Sequence, residues 1–89
     1  MKIDDKMIDL FCSIDSRSEM KKLFSEFFTP AEIDDLILRW KLLSELADGK
    51  TQREIAKNLH ISLCKITRGS RLLKDKNSIM RRTFIPEEK

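Results

Sequence analysis

Apolar positions along this chain recur every three or four residues, and no Val/Ile/Thr-rich stretch alternates with polar positions. Ile3, Met7, Leu10, Phe11 and Ile14 fall on one face of a first predicted helix. Ser16 and Glu19 can box the start of a second, whose face is Met20, Leu23, Phe24, Phe27 and Phe28. Thr29-Pro30-Ala31-Glu32 then supplies an N-cap, a proline at the first helical position and a glutamate at the third. The third helix is predicted to continue to Asp48, where Gly49 ends it. Its main stripe is Ile33, Leu36, Ile37, Trp40, Leu43 and Ala47, but Leu38 and Leu42 point nearly the opposite way. A helix apolar on two sides needs partners on both. Either the helices of two chains interlock, or Leu38 and Leu42 pack beneath the N-terminal helices of their own chain.

Two shorter helices follow, meeting at a tight turn. Thr51 and Glu54 form a Thr-x-x-Glu capping box, and Ile55, Ala56 and Leu59 make one buried face up to about Leu59. His60 occupies the turn, where left-handed dihedrals favour glycine but histidine is tolerated better than most residues. Ser62 caps a second helix that runs to about Lys74. At about 100° per residue, Leu63, Ile66, Ser70 and Leu73 gather on its docking side. Lys65 and Arg68 project from the other side, with Cys64, Thr67 and Arg71 on the flank. After a turn at Asp75-Lys-Asn-Ser, residues Ile79, Met80, Phe84 and Ile85 form a short helix or a packed strand-like tail, and the charged end frays. The chain is therefore all-α, with about five to six helices. Residues 1–50 are expected to form a helical core, 51–74 a bihelical head and 75–89 a C-terminal helix or tail, within a single domain.

Charge changes the picture by assigning the head a partner. Residues 1–48 carry a balance of −4, residues 49–82 a balance of +8 and the last seven −1, so a net charge of +3 conceals a strongly basic segment. Two helices with a turn between them and a basic outer face suit a groove lined by phosphates and base edges. The expected activity is double-stranded DNA binding by a helix-turn-helix. Eighty-nine residues bury only about 60–65% of their extended surface, so association would help greatly. There is no apolar run near the roughly 18 residues a span requires and no hydrophobic leader, so a soluble, cytoplasmic protein is expected. Cys12 and Cys64 are isolated, with no metal-ligand spacing, and read as reduced thiols. No carboxylate pair, phosphate loop or nucleophile–base arrangement points to an enzyme.

The run Ile66-Thr67-Arg68-Gly69-Ser70, followed by Leu73-Lys74, resembles the signature of the Trp repressor family. Thr29-Pro30-x-Glu32, Arg39, Glu45-Leu46, Gly49 and Gln52-Arg53-Glu54 fall in the matching order, with one residue deleted between Gly49 and Gln52. The likeness spans Phe27 to Lys74. It implies an intertwined all-α homodimer and free L-tryptophan as corepressor, with Arg39 and Arg68 on the two faces of the indole. By the same resemblance Gly69 lets the backbone approach closely, while Thr29 and carbonyls near Phe28 of the partner chain meet the polar end of the amino acid. Read without it, Arg39 would pair with Asp35 at the surface and Arg68 would meet a phosphate. The family carries a serine hydroxyl near the ligand's amino group where this chain has Leu72, so indole analogues lacking the amine become possible ligands. For DNA, the resemblance implies Arg53 on a guanine edge and Gln52, Thr67 and Lys74 on backbone or water-bridged contacts. Leu63 and Cys64 stand where the family presents small or apolar groups, Lys65 is an added candidate for a phosphate, and Lys57 is displaced by one from the family's lysine. The implied function is repression of tryptophan biosynthesis or salvage genes from a palindromic operator. A ligand-independent helix-turn-helix regulator and a basic protein-docking adaptor are the alternatives.

Overall fold

The computed structural model describes residues 1–86, and the expected fraying of the charged end falls on residues outside them. Six helices and no strands occur among the described residues: α1 (Asp5–Ser13), α2 (Arg17–Phe27), α3 (Pro30–Ala47), α4 (Gln52–Leu59), α5 (Leu63–Lys74) and α6 (Ile79–Phe84). The chain divides into two compact units between Asp34 and Asp35, inside α3.

In the N-terminal unit each helix starts where a short polar side chain replaces the missing carbonyl partner. Asp4 accepts from the Lys6 N–H at 2.7 Å, and Ser16 accepts from the Glu19 N–H at 3.3 Å. Thr29 and Glu32 form a full reciprocal box: Glu32 Oε1 accepts from the Thr29 N–H at 2.9 Å, and Thr29 Oγ1 accepts from the Glu32 N–H at 3.2 Å. Phe11 meets Phe24 and Phe27 with ring centroids 6.3 and 6.1 Å apart, and Phe28 lies 5.0 Å from Phe24. Despite this cluster, no side chain of α1 or α2 is buried.

The second unit contains the core. Leu42, Ile55 and Ile66 are buried together, with Leu46, Ala56, Leu59 and Ile61 packed around them. Leu42 is thus covered by the α4–α5 unit of its own chain, which is neither of the two partners expected for the second apolar side of α3. The outer stripe is only partly covered: Leu43 is buried, whereas Ile37 and Trp40 are about half exposed, at 48% and 54%. A Schellman motif ends α3, with the Lys50 N–H donating to Glu45 O and the Gly49 N–H to Leu46 O. Gly49 takes the left-handed φ of 87° that the motif requires. His60 holds the left-handed turn between α4 and α5 at φ 54° and ψ 45°, as expected from its tolerance there.

The docking face of α5 differs from the expected one. Ile66, Gly69 and Leu73 are buried, Ser70 is half-buried, and Leu63 is 55% exposed. The face is rotated toward Gly69 because a residue without a side chain lets three α3 leucines close on the helix. A Cβ there would lie 3.2–3.4 Å from Leu46 Cδ1, Leu43 Cδ2 and Leu42 Cδ2. At the far end of α5, the Arg81 guanidinium donates to Leu73 O, and Phe84 of α6 packs 4.6 Å from Trp40. The tail is therefore a helix docked on α5, the first of its two expected forms.

Candidate nucleic-acid interface and ligand cleft

The capping box expected at the start of α4 is present in both directions. Thr51 Oγ1 accepts from the Glu54 N–H at 3.1 Å, and Glu54 Oε1 accepts from the Thr51 N–H at 3.2 Å. The Thr51 backbone N–H first, and then the nearby Thr51 side chain, hold the Glu54 carboxyl below the usual carboxylate range, with a smaller contribution from Lys50. The box leaves Gln52 and Arg53 exposed on the first turn and Lys57 exposed on the last. Ser62 caps α5, accepting from the Lys65 N–H at 3.4 Å, and sets Leu63, Cys64 and Lys65 on its first turn, all exposed. Thr67 is half-buried and its hydroxyl donates to Leu63 O at 2.9 Å, so the oxygen's lone pairs remain for an outside donor. Lys74 is exposed at the end of the helix. Every residue that the sequence assigned to DNA therefore lies in this bihelical unit. Arg81, counted in the basic segment, is withdrawn from it: half-buried, it is spent on the α5 carbonyl.

A cleft of about 160 Å³ opens between α3 and α5 within the second unit. Asp35, Leu38, Arg39, Leu42 and Leu43 form the α3 wall. Lys65, Arg68, Gly69 and Leu72 form the α5 wall, and Ile61 lies at the turn. Arg39 and Arg68 thus stand on opposite walls of one apolar trough. Arg39 does not make the surface ion pair with Asp35, since the one ion pair among the described residues joins Lys50 and Glu45 at 3.2 Å. Gly69, expected to admit a ligand, serves α3 packing as well as lining the cleft. Phe28 and Thr29 belong to the N-terminal unit. There Thr29 caps α3 through its oxygen and keeps its hydroxyl hydrogen free to donate elsewhere.

The sequence reading missed Lys65 as a cleft residue. The signal was available: Lys65 and Leu72 are seven residues apart, so they differ by only about 20° around the helix. Centring the docking face near Leu63 turned Lys65 outward on paper, while centring it on Ile66, Gly69 and Leu73 turns it toward the trough. No three His, Cys, Asp or Glu side chains among the described residues are grouped to hold a metal ion. No helix among them is long and apolar enough to cross a membrane.

The sequence model of the family described as "Trp repressor protein" matches residues 4–85. Among curated relatives, a "Trp operon repressor homolog" of Xylella fastidiosa (strain M23) is 38% identical over 74 residues, covering 82% of this chain and 80% of that protein. One of the same description from Chlamydia trachomatis serovar D is 41% identical over 56 residues, or 62% of this chain and 60% of the relative. Another, from Mannheimia succiniciproducens, is 45% identical over 53 residues, covering 58% and 52%. No solved structure matches.

Proposed function

This chain belongs to the Trp repressor family and is a repressor-type regulator, not an enzyme; from that premise we propose that it is a tryptophan-dependent repressor acting as a homodimer on a palindromic operator. The observation that carries this reading is the cleft beside the bihelical unit, with Arg39 and Arg68 on facing walls and leucines between them. Guanidinium planes stack on aromatic faces, so the pair suits a flat heterocycle. The volume agrees. A cavity of about 150 Å³ holds benzene, so an indole would fill a cleft of about 160 Å³ and leave its polar end at the mouth. Thr29 and the carbonyls near Phe28, contributed by the partner chain, would meet that end.

The DNA-reading surface is the outer side of α4 and α5. Arg53 reads a guanine edge, where a bidentate contact is available in the major groove. Gln52, Lys57, Thr67 and Lys74 hold the backbone, and Leu63 and Cys64 present an apolar edge at the helix start. Lys65 sits on the border between this surface and the cleft. A ligand wedged between α3 and α5 binds more tightly when the two heads of a dimer stand about 34 Å apart, one turn of DNA. DNA must then raise ligand affinity by the same factor. The N-terminal helices supply the dimer interface in this scheme, and the protein works in the cytoplasm.

Footprinting of tryptophan-gene promoter fragments with and without L-tryptophan tests the proposal. A protected palindrome that depends on the amino acid is expected. Equal protection in both conditions would mean a ligand-independent helix-turn-helix regulator instead. Binding with no preference for a palindrome, and only the salt dependence of unspecific phosphate contact, would leave a basic docking adaptor.

A further inference from the structure

We propose that Lys76, Arg81 and Arg82 form a seat for a backbone phosphate of DNA, outside the bihelical head. The inference rests on the reading of the chain as a duplex-DNA binder, and needs neither the aromatic ligand nor the palindrome. The three cations line a single open hollow of about 340 Å³ where the turn after α5 meets α6. The rest of its lining is Ile85 and Pro86, so no carboxylate among the described residues offsets the charge there. None of the three cations makes an ion pair among those residues. Asp75, the acidic residue beside Lys76 in the chain, accepts from the Asn77 N–H at 2.9 Å and closes the turn.

Arg81 gives this cluster a fixed member. Its Nη1 donates to Leu73 O, which holds the guanidinium against the end of α5. Its Nε is buried and meets no acceptor among the described residues. Buried donors are almost always paired, and an oxyanion in the hollow pairs this one. Lys76 and Arg82, both exposed, bring mobile charge to the same hollow. A phosphate suits the set, because arginine offers its oxygens a planar fork and lysine a point charge. The source of that phosphate follows from continuity. Lys74 ends α5, and Arg81 ties α6 to the same end of that helix. The hollow therefore continues the phosphate-holding surface proposed for Lys74, and adds a contact at the edge of the footprint.

The test is the salt dependence of binding to a duplex of arbitrary sequence, since a phosphate contact carries no sequence information. Seating one phosphate contributes about 0.9 to the slope of log affinity against log salt. The double variant Lys76→Gln/Arg82→Gln leaves the Arg81 tether in place and should lower the wild-type slope by that amount. Between about 50 and 200 mM salt it should then lose about three- to fourfold less affinity than the wild type. An unchanged slope overturns the seat while leaving DNA binding by the head intact. So does a lowered slope accompanied by a changed association state in sedimentation velocity, which would set these cations against a second copy of the chain. A wild type that binds no duplex would instead remove the nucleic-acid reading, and the seat with it.

Discussion

In the proposed scheme Arg53 and Leu72 divide the work, one facing DNA and the other the ligand. Arg53 stands exposed on the first turn of α4, held there by a box that satisfies the backbone around it. Arg53→Ala is expected to weaken operator binding by about 1–3 kcal/mol and to relax sequence preference at one base pair. Gel shifts on operator and scrambled duplexes check this, because a phosphate contact would weaken both alike. Leu72 is half-buried in the cleft wall and has no group to offer an ammonium. A hydrogen bond to a charged group is worth about 1.5–3 kcal/mol, and that selectivity is absent from this wall. L-tryptophan and indole-3-propionate are therefore expected to bind within a hundredfold of each other by calorimetry. A larger preference for the amino acid would mean that other groups recognise the amine. Both residues were visible in the sequence, Arg53 through its place behind a capped turn and Leu72 through its distance from Arg68. What the sequence withheld was which residues face each other across α3 and α5, since that depends on how closely two helices approach.

At the scale of elements, boundaries were more legible than faces. The caps at Ser16, Thr29, Thr51 and Ser62, and the stop at Gly49, all mark ends that local chemistry decides within three or four residues. Faces depend on neighbours. The α5 wheel alone favours Leu63 as a core residue, yet Gly69 turns the helix so that Leu63 emerges. The same close approach gives Leu42 its cover from α4 and α5, a partner that counting apolar sides of α3 could not supply. The start of α4 provides a test in acid. The Glu54 carboxyl is depressed chiefly by the Thr51 N–H, so its contribution is complete above the ordinary glutamate pKa of about 4.3. It is lost as pH falls through the lowered value. Glu54→Gln keeps an acceptor without the charge. The wild type should melt above this variant near neutrality, and the gap should close in acid. A gap of constant size down to pH 2 would show that the cap is insensitive to this charge.

For the whole molecule, the decisive quantity is how little of the chain is covered. The N-terminal unit buries no side chain of α1 or α2, and Leu10, Phe27, Ile37 and Trp40 remain substantially exposed. Units of this size rarely hold together without association. The expected state is a dimer at micromolar concentration by sedimentation velocity. Ile37→Asp should shift it to monomer and lower its melting temperature, as expected when folding is linked to association. A monomeric wild type would remove the dimer from the proposal. The sequence hinted at this state through two apolar sides on α3, though one of them proved to be covered at home. A last consequence follows from Arg81, whose guanidinium ties α6 to the end of α5. The opposite end carries its own Ser62 cap and is pinned through Ile66 to the core of α3 and α4, so α5 is a beam held in its body and tied at its carboxyl terminus. Its 12 residues make an arm of about 18 Å. A swing of roughly 10° about the Arg81 end would have to shift Ile66 against its core neighbours, and would carry Leu63 and Cys64 ~3 Å, close to the spacing of successive base pairs. Cutting the tether with Arg81→Ala would move the pivot, and with it the register in which the tip meets the duplex.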